Sequence, residues 1–165
     1  ENVSLINNSS VVIDKTKLIF STLWSKISDG NSFFIERGLN DFHVVKYNNE
    51  RFSANQYNLL HNESIDFIKS ELEEETVHNR IVVTHHVPTF MNYPEKYKGD
   101  VLNEAFATEL HDLIEEYMPD YWIYGHTHHN TKDFKVGKTK LLTNQLGYVK
   151  YGEQELFDNK KSIKV

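Results

Sequence analysis

Two short apolar runs in this chain each end in histidines. Ile81-Val82-Val83-Thr84 leads into His85-His86-Val87-Pro88, and Tyr121-Trp122-Ile123-Tyr124 leads into Gly125-His126-Thr127-His128-His129. Four-residue runs rich in β-branched and aromatic side chains, bounded by turn-forming residues, read as buried strands. A sheet of parallel strands places its ligand crevice outside the carboxyl ends of those strands. A right-handed crossover through a helix over Glu104–Tyr117 makes the two strands parallel neighbours and brings both histidine sets to one sheet edge. Five of the nine histidines lie in the two clusters. Imidazole is the commonest metal-binding side chain, so the pattern points to a metal site. His126 and His128, one residue apart, either converge on one pocket or serve two adjacent ions. Gly125 suits a chain that leaves a strand sharply, because it lacks a Cβ.

Composition narrows the chemistry. The 165 residues suffice for one domain with a core, and 13% aromatic residues argue against disorder. A net charge of −6 disfavours a nucleic-acid-binding face, while bound cations leave phosphorylated substrates open. With no cysteine, disulfides, zinc–thiolate sites and thiol nucleophiles are excluded, and any transition metal is held by nitrogen and oxygen. No apolar run is long enough to span a bilayer, so no membrane partner is expected. The expected compartment is cytoplasmic. The chain opens Glu1-Asn2-Val3 rather than with Met, so an exported precursor remains compatible with it.

Further elements follow from turn signals and periodicity. Val11–Asp14 and Lys17–Ser21 read as a hairpin, followed by Leu23-Trp24. Ser25 to Asp41 reads as irregular around Asp29-Gly30-Asn31, and His43–Tyr47 as a strand. Asn62 or Ser64 caps a helix bearing Ile65, Ile68 and Leu72, whose end from Glu71 to Glu75 reads as a solvated acidic face. Thr139–Thr143 reads as a strand, and the tail through Ser162–Val165 as a last edge strand. Strands first alternate with helices and then continue without them, which suggests a layered α/β domain with a mixed sheet. His43, His78 and His111 read as ordinary surface residues, and His61 as a residue just before a helix that could reach the crevice.

Val82-Val83-Thr84-His85-His86-Val87-Pro88 followed by Tyr124-Gly125-His126-Thr127-His128 resembles the last two motifs of the calcineurin-like metallophosphoesterases. The flanks (Leu23-Trp24, the proline-tyrosine loop after Pro88, and Asn144 to Tyr148) resemble small bacterial, Ser/Thr-phosphatase-like members. The family's three earlier motifs, Asp-x-His, Gly-Asp-x-x-Asp and Gly-Asn-His, have no convincing counterpart. Asp41-Phe42-His43 and Gly99-Asp100 match fragments of them in the wrong context. Glu1 to Leu5 resembles the segment just after the third. The resemblance therefore implies that residues 1–165 are the C-terminal part of a single domain, one portion of a layered α/β/β/α sandwich whose N-terminal half is absent.

The same resemblance implies a metal-dependent phosphoesterase working through two divalent or trivalent ions (Mn, Fe, Zn or Ni) on a small phosphate mono- or diester. His85 and His126 would hold one ion and His128 the other, with Tyr93 toward the substrate and His86 either toward the substrate or a hydrogen-bond partner behind the ligands. Lys96 and the aromatics of the loop from Phe90 to Tyr97 either meet substrate or form an ordinary surface loop. The remaining ligands would lie outside this chain, so the fragment alone is expected to be inactive and to self-associate through uncovered sheet. The alternatives are a non-catalytic, histidine-based metal-binding module and a degenerate interaction scaffold.

Overall fold

The computed structural model describes residues 3–74 and 78–165. Glu75 of the acidic run, and Glu1 and Asn2 of the segment likened to a post-motif stretch, lie outside the described residues. The expected hairpin forms from β1 (Ser9–Ile13) and β2 (Thr16–Ser21), with Asp14 in the left-handed region at φ 53°. The histidine-tipped runs become β5 (Asn79–Thr84) and β6 (Tyr121–Tyr124), which are parallel neighbours as expected. β7 (Phe134–Val136) and β8 (Thr139–Thr143) complete a mixed six-stranded sheet in the order β1-β2-β5-β6-β8-β7. Pairings among β2, β5, β6 and β8 are all parallel, so four carboxyl ends share one edge.

Register builds the core. Ile19, Val82, Trp122 and Leu141 are successive partners across those four strands, and none exposes any surface. Against this row pack Ile68 and Leu72 of helix α3 (Ala54–Glu73) and Leu113 and Ile114 of α4 (His111–Tyr117). Alternation sends Phe20, Val83 and Ile123 to the other face of the sheet, where they stay partly exposed and outside that cluster. A second, aromatic-rich core joins α1 (Asp29–Gly38), α2 (Asp41–Val44) and the start of α3 around Phe42, Phe52 and Tyr57.

Several expectations are corrected. The stretch read as irregular holds α1, whose start is fixed by a distant carboxylate. Glu104 accepts hydrogen bonds from the Ser28 backbone and hydroxyl and from Asn31 Nδ2. His43 belongs to α2 rather than to a strand, because burying Phe42 in the aromatic core outweighs the β-propensity of Val44 and Val45. Of that stretch Lys46–Tyr47 (β3) alone pairs as a strand, with β4 (Glu50–Arg51). Helix α3 begins at a Ser53/Gln56 capping box, well before Asn62 and Ser64, so His61 lies inside the helix.

The helix expected from Glu104 begins only at His111. Val87 N donates to Phe106 O and Thr108 N to Val87 O, so these backbone groups are already committed and no helix can run through them. The tail adds no strand, since β7 holds the edge beside β8; Val149–Tyr151 and Glu153–Leu156 form 3-10 turns instead. Glu71 is no free surface charge: with Glu74 it binds the buried Lys17 ammonium, at 2.7 and 2.8 Å.

Candidate metal centre

Each of the four parallel carboxyl ends delivers part of the site. Ser25 follows β2, His85 and His86 follow β5, the turn from Gly125 to His128 follows β6, and Gln145 follows β8. The backbone fixes the first contacts: His85 N donates to Ser21 O, His86 N to Thr22 O, and Gly125 N to His85 O at 3.1 Å. Gly125 does not supply the sharp exit expected of it, for a Cβ there would sit at an ordinary 3.6 Å from His85 O. His126 and His128 make the turn themselves, with φ at 75° and 50°. Left-handed conformations are costly in non-glycine residues and persist where the surroundings over-determine them.

Here the surroundings are a polar lattice. Gln145 Oε1 accepts from His128 N at 2.7 Å, and its Nε2 donates to Thr143 Oγ1, His129 O and Thr127 Oγ1. Asn130 and Gln145 exchange a reciprocal pair of hydrogen bonds. Gln145 lies in the Asn144–Tyr148 stretch that carries the family likeness, but no residue pattern gives it or Asn130 a role, although both flank the histidine turn in space.

One ring nitrogen each from His85, His86 and His126 lies within 4.8 Å of the others, the one such group among the described residues. The closest approach is His85 Nε2 to His126 Nδ1, 2.8 Å, with ring planes 67° apart. Two nitrogens sharing an ion at about 2.0–2.1 Å stand roughly 2.9–3.3 Å apart, so small ring rotations accommodate one. All three rings are held neutral. Burial pushes His126 down to about 3, helped by repulsion from His85 and His128. Burial also lowers His85 and His86, the latter well below the usual imidazole range. A neutral imidazole offers the lone pair a metal needs.

His128 stands apart from the trio. Its Nδ1 meets Glu153 Oε2 at 3.1 Å, and its ring packs edge-on against Tyr148 at 4.6 Å. Glu153 also accepts from Tyr148 N, and neither residue was legible as part of the site. All of these except the buried His86 line a cleft of about 680 Å³, together with Asp41, Tyr93 and Tyr97.

Tyr93 reaches this cleft with its ring in the core and its hydroxyl donating to Asn103 Oδ1 at 3.2 Å; burial raises it to about 12. Asp41 enters the cleft while His43 bonds the Arg37 carbonyl outside it. Lys96 lies over the Tyr97 ring rather than in the cleft. His61 Nδ1 pairs with the Trp24 carbonyl at 2.6 Å, behind the site.

With the geometry in place, the comparisons with known proteins agree in direction. The profile of the calcineurin-like phosphoesterases matches residues 7–130. The chain is 35% identical over 158 residues to "Uncharacterized protein L509" of Acanthamoeba polyphaga mimivirus. That match takes in 89% of this chain and 55% of the relative, so the chain spans about half the length of the curated protein it matches. This relative is viral, and the bacterial likeness stays an expectation. No solved structure matches.

Proposed function

The chain belongs to the calcineurin-like phosphoesterase family, and on that premise we propose that it forms part of the metal centre of a hydrolase that cleaves a small phosphate mono- or diester. The observation that carries the proposal is the convergence of neutral His85 and His126 on one point at the ends of adjacent parallel strands. Their nitrogen donors suit zinc, nickel or iron, while manganese would depend on added oxygen ligands. When bound, such ions lower the pKa of water and neutralise charge on a phosphoryl group. His85 and His126 would hold one ion and His128, steadied by Glu153, a second. Tyr93 contributes a wall of the cleft rather than a free hydroxyl.

Of the three carboxylates lining the cleft, Glu153 is engaged by His128 and Tyr148 and Asp100 caps a 3-10 turn at Leu102 N, which leaves Asp41 alone toward such a centre. We therefore place the bridging ligands in a segment outside this chain that also covers the sheet face of Phe20, Val83 and Ile123. The test compares hydrolysis of p-nitrophenyl phosphate and its bis ester by the full-length protein and by residues 1–165, each with added manganese or zinc. Turnover by the full-length protein alone, abolished by chelator, is the expected result. Turnover by residues 1–165 overturns the incomplete-centre reading. Metal uptake without turnover by either favours the non-catalytic module.

A further inference from the structure

His126 lies between two rings. His86 stacks on it with centroids 4.3 Å apart and planes 6° apart, and Phe106 packs at 4.6 Å and 31°. Two rings with centroids that close to a third, one parallel and one tilted, have no room to share one of its faces, so they take opposite faces. The parallel arrangement also excludes His86 as a ligand beside His126. A bound ion lies in the plane of the imidazole whose lone pair it takes, and lone pairs in two stacked parallel planes do not meet on one ion. His86 is a plate on which His126 rests.

What holds the plate is buried behind it. His86 Nδ1 lies 3.1 Å from Ser25 Oγ and 3.3 Å from the Tyr57 oxygen, and the two oxygens are 3.0 Å apart. His86, Ser25 and Tyr57 are all but inaccessible, at 4%, 0% and 2% exposed. Tyr57 spends its only proton on the Ala105 carbonyl at 2.7 Å. If Ser25 donated to Nδ1, two of the three remaining contacts would hold no proton. If Nδ1 carries the proton and shares it between the Ser25 and Tyr57 oxygens while Ser25 donates to Tyr57, no contact is left without a proton. The Tyr57–Ala105 bond also anchors the residue just before Phe106, the opposite plate.

We propose that Tyr57 is a positioning residue for the metal centre: its hydroxyl orients both plates of the clamp, His86 through an Nδ1–H tautomer and Phe106 through the Ala105 carbonyl, and so sets the ring plane of His126. The proposal rests on the reading of His126 as a metal ligand. Partners that orient ligands in this way are typically worth 10- to 100-fold in metal affinity.

The experiment uses the full-length protein, with zinc titration, the visible spectrum of bound cobalt, and nitrogen-15 NMR of the imidazoles without metal. The expected results are an Nδ1–H tautomer at His86, zinc affinity reduced roughly 10- to 100-fold in Tyr57→Phe with an altered cobalt spectrum, and tighter zinc binding by His86→Phe than by His86→Ala. An Nε2–H tautomer overturns the proposal while leaving the metal reading intact. An unchanged affinity and cobalt spectrum in Tyr57→Phe overturns it as well. Equal loss in His86→Phe and His86→Ala would make the His86 nitrogen itself the ligand, and failure of the native protein to bind zinc removes the premise. If His86→Phe does not fold, the tautomer and Tyr57→Phe still decide.

Discussion

The wall of the cleft formed by His85 and His126, with His86 buried behind it, and the wall formed by His128, Tyr148 and Glu153 reach the same space by different means. The first stands on strands β5 and β6, its rings stacked on one another and backed by buried hydroxyls. The second is closed by a segment after β8, tied back by the reciprocal Asn144–Asp158 hydrogen bonds and by Lys161 on Asp133. One wall is set by the sheet, the other by side-chain hydrogen bonds between exposed residues. Rigid elements position a site more closely than loops do, and exposed hydrogen bonds open more readily. The strand-borne wall should therefore dominate metal affinity, and the tail-borne wall should tune it.

The largest expected effect is at the first wall. His126→Ala should cost more than the 10- to 100-fold that an orienting partner is worth, effectively ending zinc uptake in calorimetric titration. Retention of native affinity would break the contrast outright. Next comes Glu153→Gln, which removes the carboxylate at His128 Nδ1 and should weaken zinc about tenfold. Gly147→Ala should imitate it. That residue is held at φ 62°, and an added Cβ would lie 2.5 Å from the Glu153 Cβ, so the turn carrying Glu153 must move. Its melting temperature should also fall, corresponding to a loss of about 1–2 kcal/mol.

A separate effect, on stability rather than on metal affinity, is one of pH. His126 titrates near 3 in the folded chain against about 6.5 for a free imidazole. Between those values the unfolded chain takes up a proton that the folded one refuses. Stability from this group is therefore full above about pH 6.5 and declines as pH falls toward 3. Thermal melts in excess chelator should show that decline, and His126→Gln should flatten it. An equal slope in the variant would assign the acid sensitivity elsewhere.

The contrast also explains what could be read from the sequence. Apolar runs capped by histidines carry strand, neighbour and chemistry in consecutive residues, so β5, β6 and their shared edge were legible. Glu153 was not, because its partner His128 lies 25 residues away and the tail looked like a strand until β7 took that edge. The Ser53/Gln56 capping box is a local signal, but Asn62 and Ser64 stand nearer the apolar face of Ile65, Ile68 and Leu72 and offer a competing start. Helix α1 was hidden differently: its start depends on Glu104, a carboxylate that no local window around Ser28 contains. With the cap expected at Asn62 or Ser64, Tyr57 falls before the helix, and only the fold shows where its hydroxyl goes.

The buried row of Ile19, Val82, Trp122 and Leu141 has a consequence for how such a protein can vary. Because the row keys four strands to one another, the distance between the histidine tips does not depend on the length of the connections behind them. Insertions and deletions in the parts of these connections away from the histidine turns, Phe106 and Asn130 can accumulate without moving an imidazole. A single residue gained inside any of the four strands would instead turn its inward side chains outward and carry its tip off the shared edge. Length in this chain is cheap at the bends and forbidden along the strands, so homologues should diverge in their connections while the spacing within each strand stays constant.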